Sequence, residues 1–338
     1  MEPTTSIFPQ TRQTVPSRDR FNVVGNAQEL PQGGFLHHRR NGRMLPPFIA
    51  PTSAQELSNT WDTDEDDVFI CTHQKVGTHL TKKFIVEILR ATENYGSDHP
   101  MSAGDIGHGA VPWPEVMHSQ HGARHFRKFL QRTSGTKRLW YTHSAYEDLP
   151  IRRVHPKSKF VVVLRDPRAT AVSQYFFYKR HPLLQISKDL DMDTFSSMFI
   201  EGDLYFGDYH QHTLGWIRRP DNRIPNSSVL VLRYEDLVEN KLAVIDRLLT
   251  FLAPGKRLTD KRKESIAEST MFQSMKKSLT KDPKSFHLDP KAFFRSGKTK
   301  DWEQHLSRNV VRAINRKTNR VWGRGDLTCP PLDGLMSL

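Results

Sequence analysis

The 338-residue chain carries 50 Lys and Arg against 37 Asp and Glu, a formal net charge of +13, with 36% hydrophobic residues. That is enough apolar material for a full core, whereas no apolar run reaches the length of a membrane span and two cysteines, Cys71 and Cys329, do not make a disulfide framework. The charge points to an anionic partner without naming it: Lys and Arg are spread along the whole chain, with no helix-turn-helix, zinc-finger or RNA-recognition signature to focus them.

In chain order, residues 1–54 read as a largely irregular N-terminal extension. Its first thirty residues lack the apolar stretch of a secretory signal, and Glu2 and Asp19 interrupt a transit-peptide pattern. A reducing cytoplasm is the expected setting. Residues 55–322 read as one domain and residues 323–338 as a C-terminal tail. Within the domain, residues 68–72 form a strand bounded by the acidic run DTDEDD, and Leu80, Phe84, Ile85, Ile88 and Leu89 then recur at helical spacing. Further strands are predicted at 139–142, 160–164 and 229–232, and helices at 169–178, 195–201, 242–251 and 308–320. This alternation predicts an α/β three-layer sandwich with a central, mainly parallel sheet and a P-loop-like strand-loop-helix. Ligands of such sheets sit at the carboxyl ends of the strands.

Three polar segments fall where such a ligand would lie. In the turn THQKVGTH at 72–79, Gly77 lets the backbone approach an anion, Thr78 offers a hydroxyl, the following helix presents its positive end, and Lys75 adds a charge. Lys75 precedes the glycine, unlike the lysine of the nucleoside triphosphate loop, and Arg165 and Arg233 stand at strand exits where a magnesium-binding acid is needed. An ordinary glycine-containing turn is the alternative. The second segment is Arg165-Asp166-Pro167-Arg168, with Ser173 two turns on; arginine suits bidentate phosphate binding, and the alternative is a solvated arginine beside an Asp166 helix cap. The third, FFRSGKTKDW at 293–302, places Arg295, Ser296 and Gly297 together, or is a basic surface loop. His118 with His121, and His210 with His212, form pairs without companions at zinc-like spacing, so no metal is expected. The RGD string at 324–326 reads as coincidence.

Taken together, these segments resemble the cytosolic sulfotransferases that use 3′-phosphoadenosine-5′-phosphosulfate (PAPS), over roughly residues 65–310. THQKVGTHL is similar to the family's 5′-phosphosulfate loop, usually TYPKSGTTW, and LRDPRATAVS to its 3′-phosphate segment, with Arg165 and Ser173 at the usual spacing. VLRYEDL at 231–237, STMFQSMKK at 269–277 and FRSGKTKDW follow in the family's order. The resemblance implies that Lys75, Val76, Gly77, Thr78 and His79 hold the 5′-phosphosulfate. It further implies that Arg165, Ser173, Arg295, Ser296 and Gly297 hold the 3′-phosphate and that Tyr234, Thr270 and Phe272 surround the adenosine. Leu80 stands where the family has an aromatic that stacks on adenine. His143, in WYTHS, matches the catalytic base of the KTH motif; Tyr141 replaces the lysine there, removing one cation, and His79 replaces a threonine. Ser173, by the same resemblance, restrains Lys75.

Sulfuryl transfer asks a protein to align the acceptor in line with the leaving group and to stabilise charge on the departing oxygen. Lys75 is placed for the second task, and His143 could take the acceptor's proton. By resemblance Trp113 and Phe177 wall the acceptor pocket, and a small diffusible acceptor is expected, with no nucleic-acid or membrane partner and a monomer or homodimer. An ATP-dependent P-loop kinase and a nucleic-acid-binding protein remain the competing readings.

Overall fold

The computed structural model describes residues 22–30, 35–181, 184, 186, 187, 189–281, 295–323, 325, 326 and 328–330. Residues 1–21 of the extension, Phe293 and Phe294 of the third polar segment, Arg324 of the RGD string and residues 331–338 of the tail lie outside the described residues. The chain first builds β1 (Gln28–Leu30), β2 (Phe35–Arg40) and β3 (Arg43–Leu45), an antiparallel sheet in the order β1-β2-β3. Residues 28–30 and 35–45 therefore depart from the irregular extension read from sequence. The reason is a two-residue hairpin: Asn41 and Gly42 both take positive φ, and Arg40 pairs with Arg43 across them. Met44 of β3 ties this sheet to the body by accepting from the Phe206 N–H at 2.7 Å.

After α1 (Pro51–Thr60) come β4 (Asp67–Thr72), α2 (Thr78–Thr92), α3 (Pro114–Arg132), β5 (Arg138–Thr142) and β6 (Lys159–Leu164). These are followed by α4 (Pro167–Arg180), α5 (Met192–Glu201), α6 (Tyr209–Arg218), β7 (Val229–Arg233), α7 (Tyr234–Glu239) and α8 (Lys241–Leu252). Helices α9 (Asp260–Ser269), α10 (Phe272–Lys281) and α11 (Arg308–Trp322) complete the described elements. Strands β4 to β7 form one parallel sheet in the order β5-β4-β6-β7.

Alternation along these strands divides the interior into two cores. Val68, Ile70, Leu139, Tyr141, Val161, Val163, Leu230 and Leu232 point to one face, where α2, α4, α5, α8 and α11 pack; Phe69, Cys71, Trp140, Phe160, Val162, Leu164, Val229 and Val231 point to the other, covered by α1, α3 and α6. Helices on both faces are what a parallel sheet of short apolar strands requires. The fold is thus the α/β three-layer sandwich, with the P-loop-like unit running β4, turn, α2. Asp67 pins the first strand: its Oδ1 accepts from Arg138 Nε and Trp140 Nε1, each at 2.7 Å, inside the sheet. All four strands deliver their carboxyl ends to the same edge, and the first two polar segments follow directly from β4 and β6 there.

Candidate active site

Strand β4 feeds the turn 73–77 directly into α2. Lys75 and Gly77 both take left-handed backbone, φ 67° and 114°. At Gly77 a Cβ would stand 2.7 Å from Cδ2 of Tyr234, so only glycine lets that ring lie against the turn. The Lys75 carbonyl accepts from Nη1 of Arg165 at 2.8 Å, and the same guanidinium lies 4.1 Å from the centroid of the Tyr234 ring. The ends of β4, β6 and β7 are thereby bound into one surface. No side chain caps α2 at Gly77, which leaves its first N–H groups to a ligand or water. Val76 is buried beneath the turn, and Leu80 packs, half-buried, against the adjoining core.

Positive charge converges here. Burial pulls Lys75 down to about 7, with Arg165 and Arg295 adding like-charge repulsion. Arg165 is buried, and among the described residues its Nε has no partner. Asp166 does not neutralise it: its carboxylate caps α4 by accepting from the Arg168 N–H at 2.8 Å and holds the Arg168 guanidinium. The cap anticipated from sequence and an inward-facing Arg165 therefore coexist. Arg295 lies over the Phe176 ring at 4.7 Å, paired with Asp301 and 3.1 Å from His305 Nε2. Gly297 abuts Phe272, where a Cβ would stand 2.6 Å from the ring, and Ser296 Oγ accepts from the Lys298 N–H at 3.4 Å. Thr270 is buried at the end of α9 and its hydroxyl donates to the Ala267 carbonyl at 2.8 Å. Ser173 is half-buried on α4.

His143 follows β5 on the neighbouring strand. Its Nδ1 is 2.8 Å from the Thr72 carbonyl; that oxygen can only accept, so Nδ1 carries the proton and Nε2 keeps its lone pair. Burial drives the ring down to about 3, with His73, Lys82 and Lys75 adding to the effect, so it is neutral at physiological pH. Thr72 also reaches the other way: its Oγ1 is 2.9 Å from Thr78 Oγ1 and 3.1 Å from His143 Nδ1. His79, on the first turn of α2, is held well below its usual range by burial and by Lys82, Lys75, His108 and His143.

Around His143 the rings of Trp113 (4.8 Å), Phe206 (5.5 Å) and Tyr141 (5.6 Å) close in. Trp113 continues through Phe48 (6.0 Å) to His181 (6.3 Å) and on to Phe177 (5.1 Å). Phe177 in turn carries the Lys75 ammonium 4.2 Å from its centroid. Trp113 and Phe177, picked out separately from sequence, thus belong to one aromatic surface.

A model of the sulfotransferase domain matches residues 65–324. The chain belongs to the sulfotransferase family. It is 27% identical over 271 residues to sulfotransferase 6B1 of Danio rerio, covering 80% of this chain and 83% of that protein. It is 25% identical to luciferin sulfotransferase of Photinus pyralis, with 82% and 78% covered. Mouse sulfotransferase SULT7A1, solved in complex with PAP, shares the fold at a TM-score of 0.68 and 23% identity over 86% of this chain and 97% of that one.

In this sulfotransferase several residues beyond the sequence reading support His143. Glu115 Oε1, buried, accepts from Thr142 Oγ1 at 2.5 Å and from Ser144 Oγ at 2.7 Å, gripping the residues on either side of His143. His212 Nε2 is 3.1 Å from the His143 carbonyl, and His73, packed edge-on to His212 at 5.0 Å, accepts from Gln174 at 3.0 Å. Glu115 lies in VPWPEV, a segment the sequence marks for Trp113 alone. The histidine pairs go elsewhere: His210 Nε2 is 2.9 Å from Thr318 Oγ1, and His118 faces Glu56 at 3.6 Å. Among the described residues no group of three or more His, Cys, Asp or Glu could hold a metal ion, and no helix is long and apolar enough to cross a membrane.

Proposed function

We propose that this sulfotransferase moves a sulfuryl group from PAPS to a hydroxyl or amine of a small-molecule acceptor, with His143 as general base. PAPS supplies an activated sulfuryl group on a nucleotide with anionic ends, and the chain fits such a molecule: three cations gather at the sheet edge and Arg165 Nε is buried without a partner among the described residues. Lys75, Val76, Gly77, Thr78 and His79 take the 5′ end. Arg165, Ser173, Arg295, Ser296 and Gly297 take the 3′-phosphate, and Leu80, Tyr234, Thr270 and Phe272 flank the adenosine. Lys75 stabilises the charge on the leaving oxygen and Ser173 restrains it. His143 receives the acceptor's proton at Nε2, the nitrogen left free by its bond to Thr72. Trp113 and Phe177 exclude water and hold an apolar face of the acceptor. The domain spans residues 55–322 and works in the cytoplasm as a monomer or homodimer.

The observation that carries this reading is Thr72, whose hydroxyl lies 2.9 Å from Thr78 at the turn and 3.1 Å from His143, so that the base and the anion-binding turn meet on one residue. Calorimetric titration with 3′-phosphoadenosine-5′-phosphate (PAP), with ATP and magnesium as control, tests it. Tight PAP binding with weak ATP binding is expected, followed by transfer from labelled PAPS in an acceptor screen. ATP bound more tightly than PAP would favour a kinase, and salt-sensitive capture of DNA or RNA without turnover a nucleic-acid-binding protein.

A further inference from the structure

Helix α2 brings a second lysine to the same place. Lys82 lies one turn beyond Thr78, and helical side chains lean toward the N-terminus of their own helix, so its ammonium returns to the end of α2 that opens on the turn 73–77. There Nζ stands 3.4 Å from the centroid of the Tyr141 ring, and the residue is only 1% exposed. Among the described residues no hydrogen bond or ion pair holds this ammonium; burial pulls it well below the ordinary lysine range, and Asp105, beyond ion-pair reach, only opposes this. A tyrosine face meets a cation weakly and leaves three N–H donors unanswered, an unfavourable state for a buried lysine unless an oxygen ligand arrives.

The surroundings say where that ligand comes from. The ring under Lys82 packs against His143 at 5.6 Å and Trp113 at 5.2 Å. Lys82 and Lys75 both act electrostatically on His79 and His143, so both belong to the side of the sheet that carries the turn and the base. An anion held beside His143 would meet Lys82 across the Tyr141 ring. Resting on the PAPS reading above, we propose that Lys82 is the second cation of the reaction centre, donating to the oxygens of the sulfuryl group as it is transferred. With the anion in place the charged form of Lys82 is favoured and it passes no proton: the acceptor's proton goes to His143 Nε2 as the new S–O bond replaces the bond to the donor's bridging oxygen.

Equilibrium binding of PAPS and of PAP, measured without acceptor, isolates this contact because PAP lacks the sulfuryl group. Lys82→Met should weaken PAPS about tenfold, the scale of one charge-assisted hydrogen bond, and leave PAP affinity unchanged. It should lower kcat about 100-fold with phenols whether or not they bear a carboxylate. Because Tyr141 underlies the ammonium, adding Tyr141→Lys to the Lys82→Met variant returns a cation to the same point and should restore PAPS affinity. PAPS and PAP weakened together, PAPS affinity unchanged, or failure of Tyr141→Lys to restore it would overturn the proposal. So would a loss confined to carboxylate-bearing acceptors, which would make Lys82 an acceptor-recognition residue. Wild-type protein that bound neither nucleotide would instead defeat the donor assignment itself.

Discussion

The two sides of His143 are assembled differently. The side toward the turn comes from one contiguous stretch, Thr72 to Thr78, with its conformation set by local backbone and by Tyr234 lying on Gly77. The opposite side takes Phe48, Trp113, Phe177 and Phe206 from four separate segments and joins them through ring packing, Phe177 by way of His181. A contiguous turn leans on few distant residues, Tyr234 and Arg165 among them, whereas a surface drawn from four segments shifts with any of them. On the proposed reading, donor binding is chiefly a property of the strand-turn-helix, and acceptor choice a property of tertiary packing.

The sharpest test of this division removes the residue at its centre. His143→Ala should lower kcat about 1000-fold while PAP affinity stays nearly intact, measured by steady-state rates and calorimetry on the same preparation. Loss of both together would make His143 structural. Because burial holds the ring near 3, wild-type kcat should show no limb around pH 6.5 from this histidine.

Next in size is a pH effect confined to the turn. Free Lys75 loses its proton at about 7, below the ordinary 10.5, and an anionic ligand favours the charged form. Above pH 7 binding must therefore take up a proton, so PAP affinity should be highest below pH 7 and fall by up to about tenfold per pH unit above it. Calorimetry in buffers of different ionisation heat reads the proton directly; uptake that is absent at pH 8 would detach Lys75 from the ligand.

Gly77→Ala should weaken PAP about tenfold, since the new Cβ meets Tyr234 in a backbone conformation already costly for alanine, about 1–2 kcal/mol. The smallest change is expected from Phe48→Leu, where the ring touches Trp113 and His181. It should raise acceptor KM about threefold, corresponding to a fraction of one aromatic contact, and leave PAP binding alone. An equal effect on PAP would mean that the two sides are not separable.

The same division explains what could be read from the chain. The parallel strands were visible as apolar runs, and Lys75, Gly77, Thr78 and Arg165 as polar residues directly after them, because a strand and its following turn are neighbours in sequence. Helix α3 was not, since Pro112, Pro114 and a left-handed Gly122 break its pattern. Helix α9 was hidden by DKRKESIAES, whose only fully buried residue is Ile266. The hairpin of β2 and β3 was overlooked although Asn41-Gly42 is its turn signal. Lys82 and Glu115 had no local signature at all: one reads as part of a Lys-Lys pair on a helix, the other as an acid after proline, and both acquire meaning only from partners on β5.

The central sheet also separates two kinds of interior. On the face away from the turn, Trp61, Phe69, Trp140 and Phe160 pack in a continuous aromatic layer, with Phe69 and Phe160 stacked 4.9 Å apart, and none of the proposed donor or acceptor residues belongs to it. That layer is a reserve for protein engineering: substitutions that tighten it can harden the molecule against heat while turnover and selectivity keep their native values.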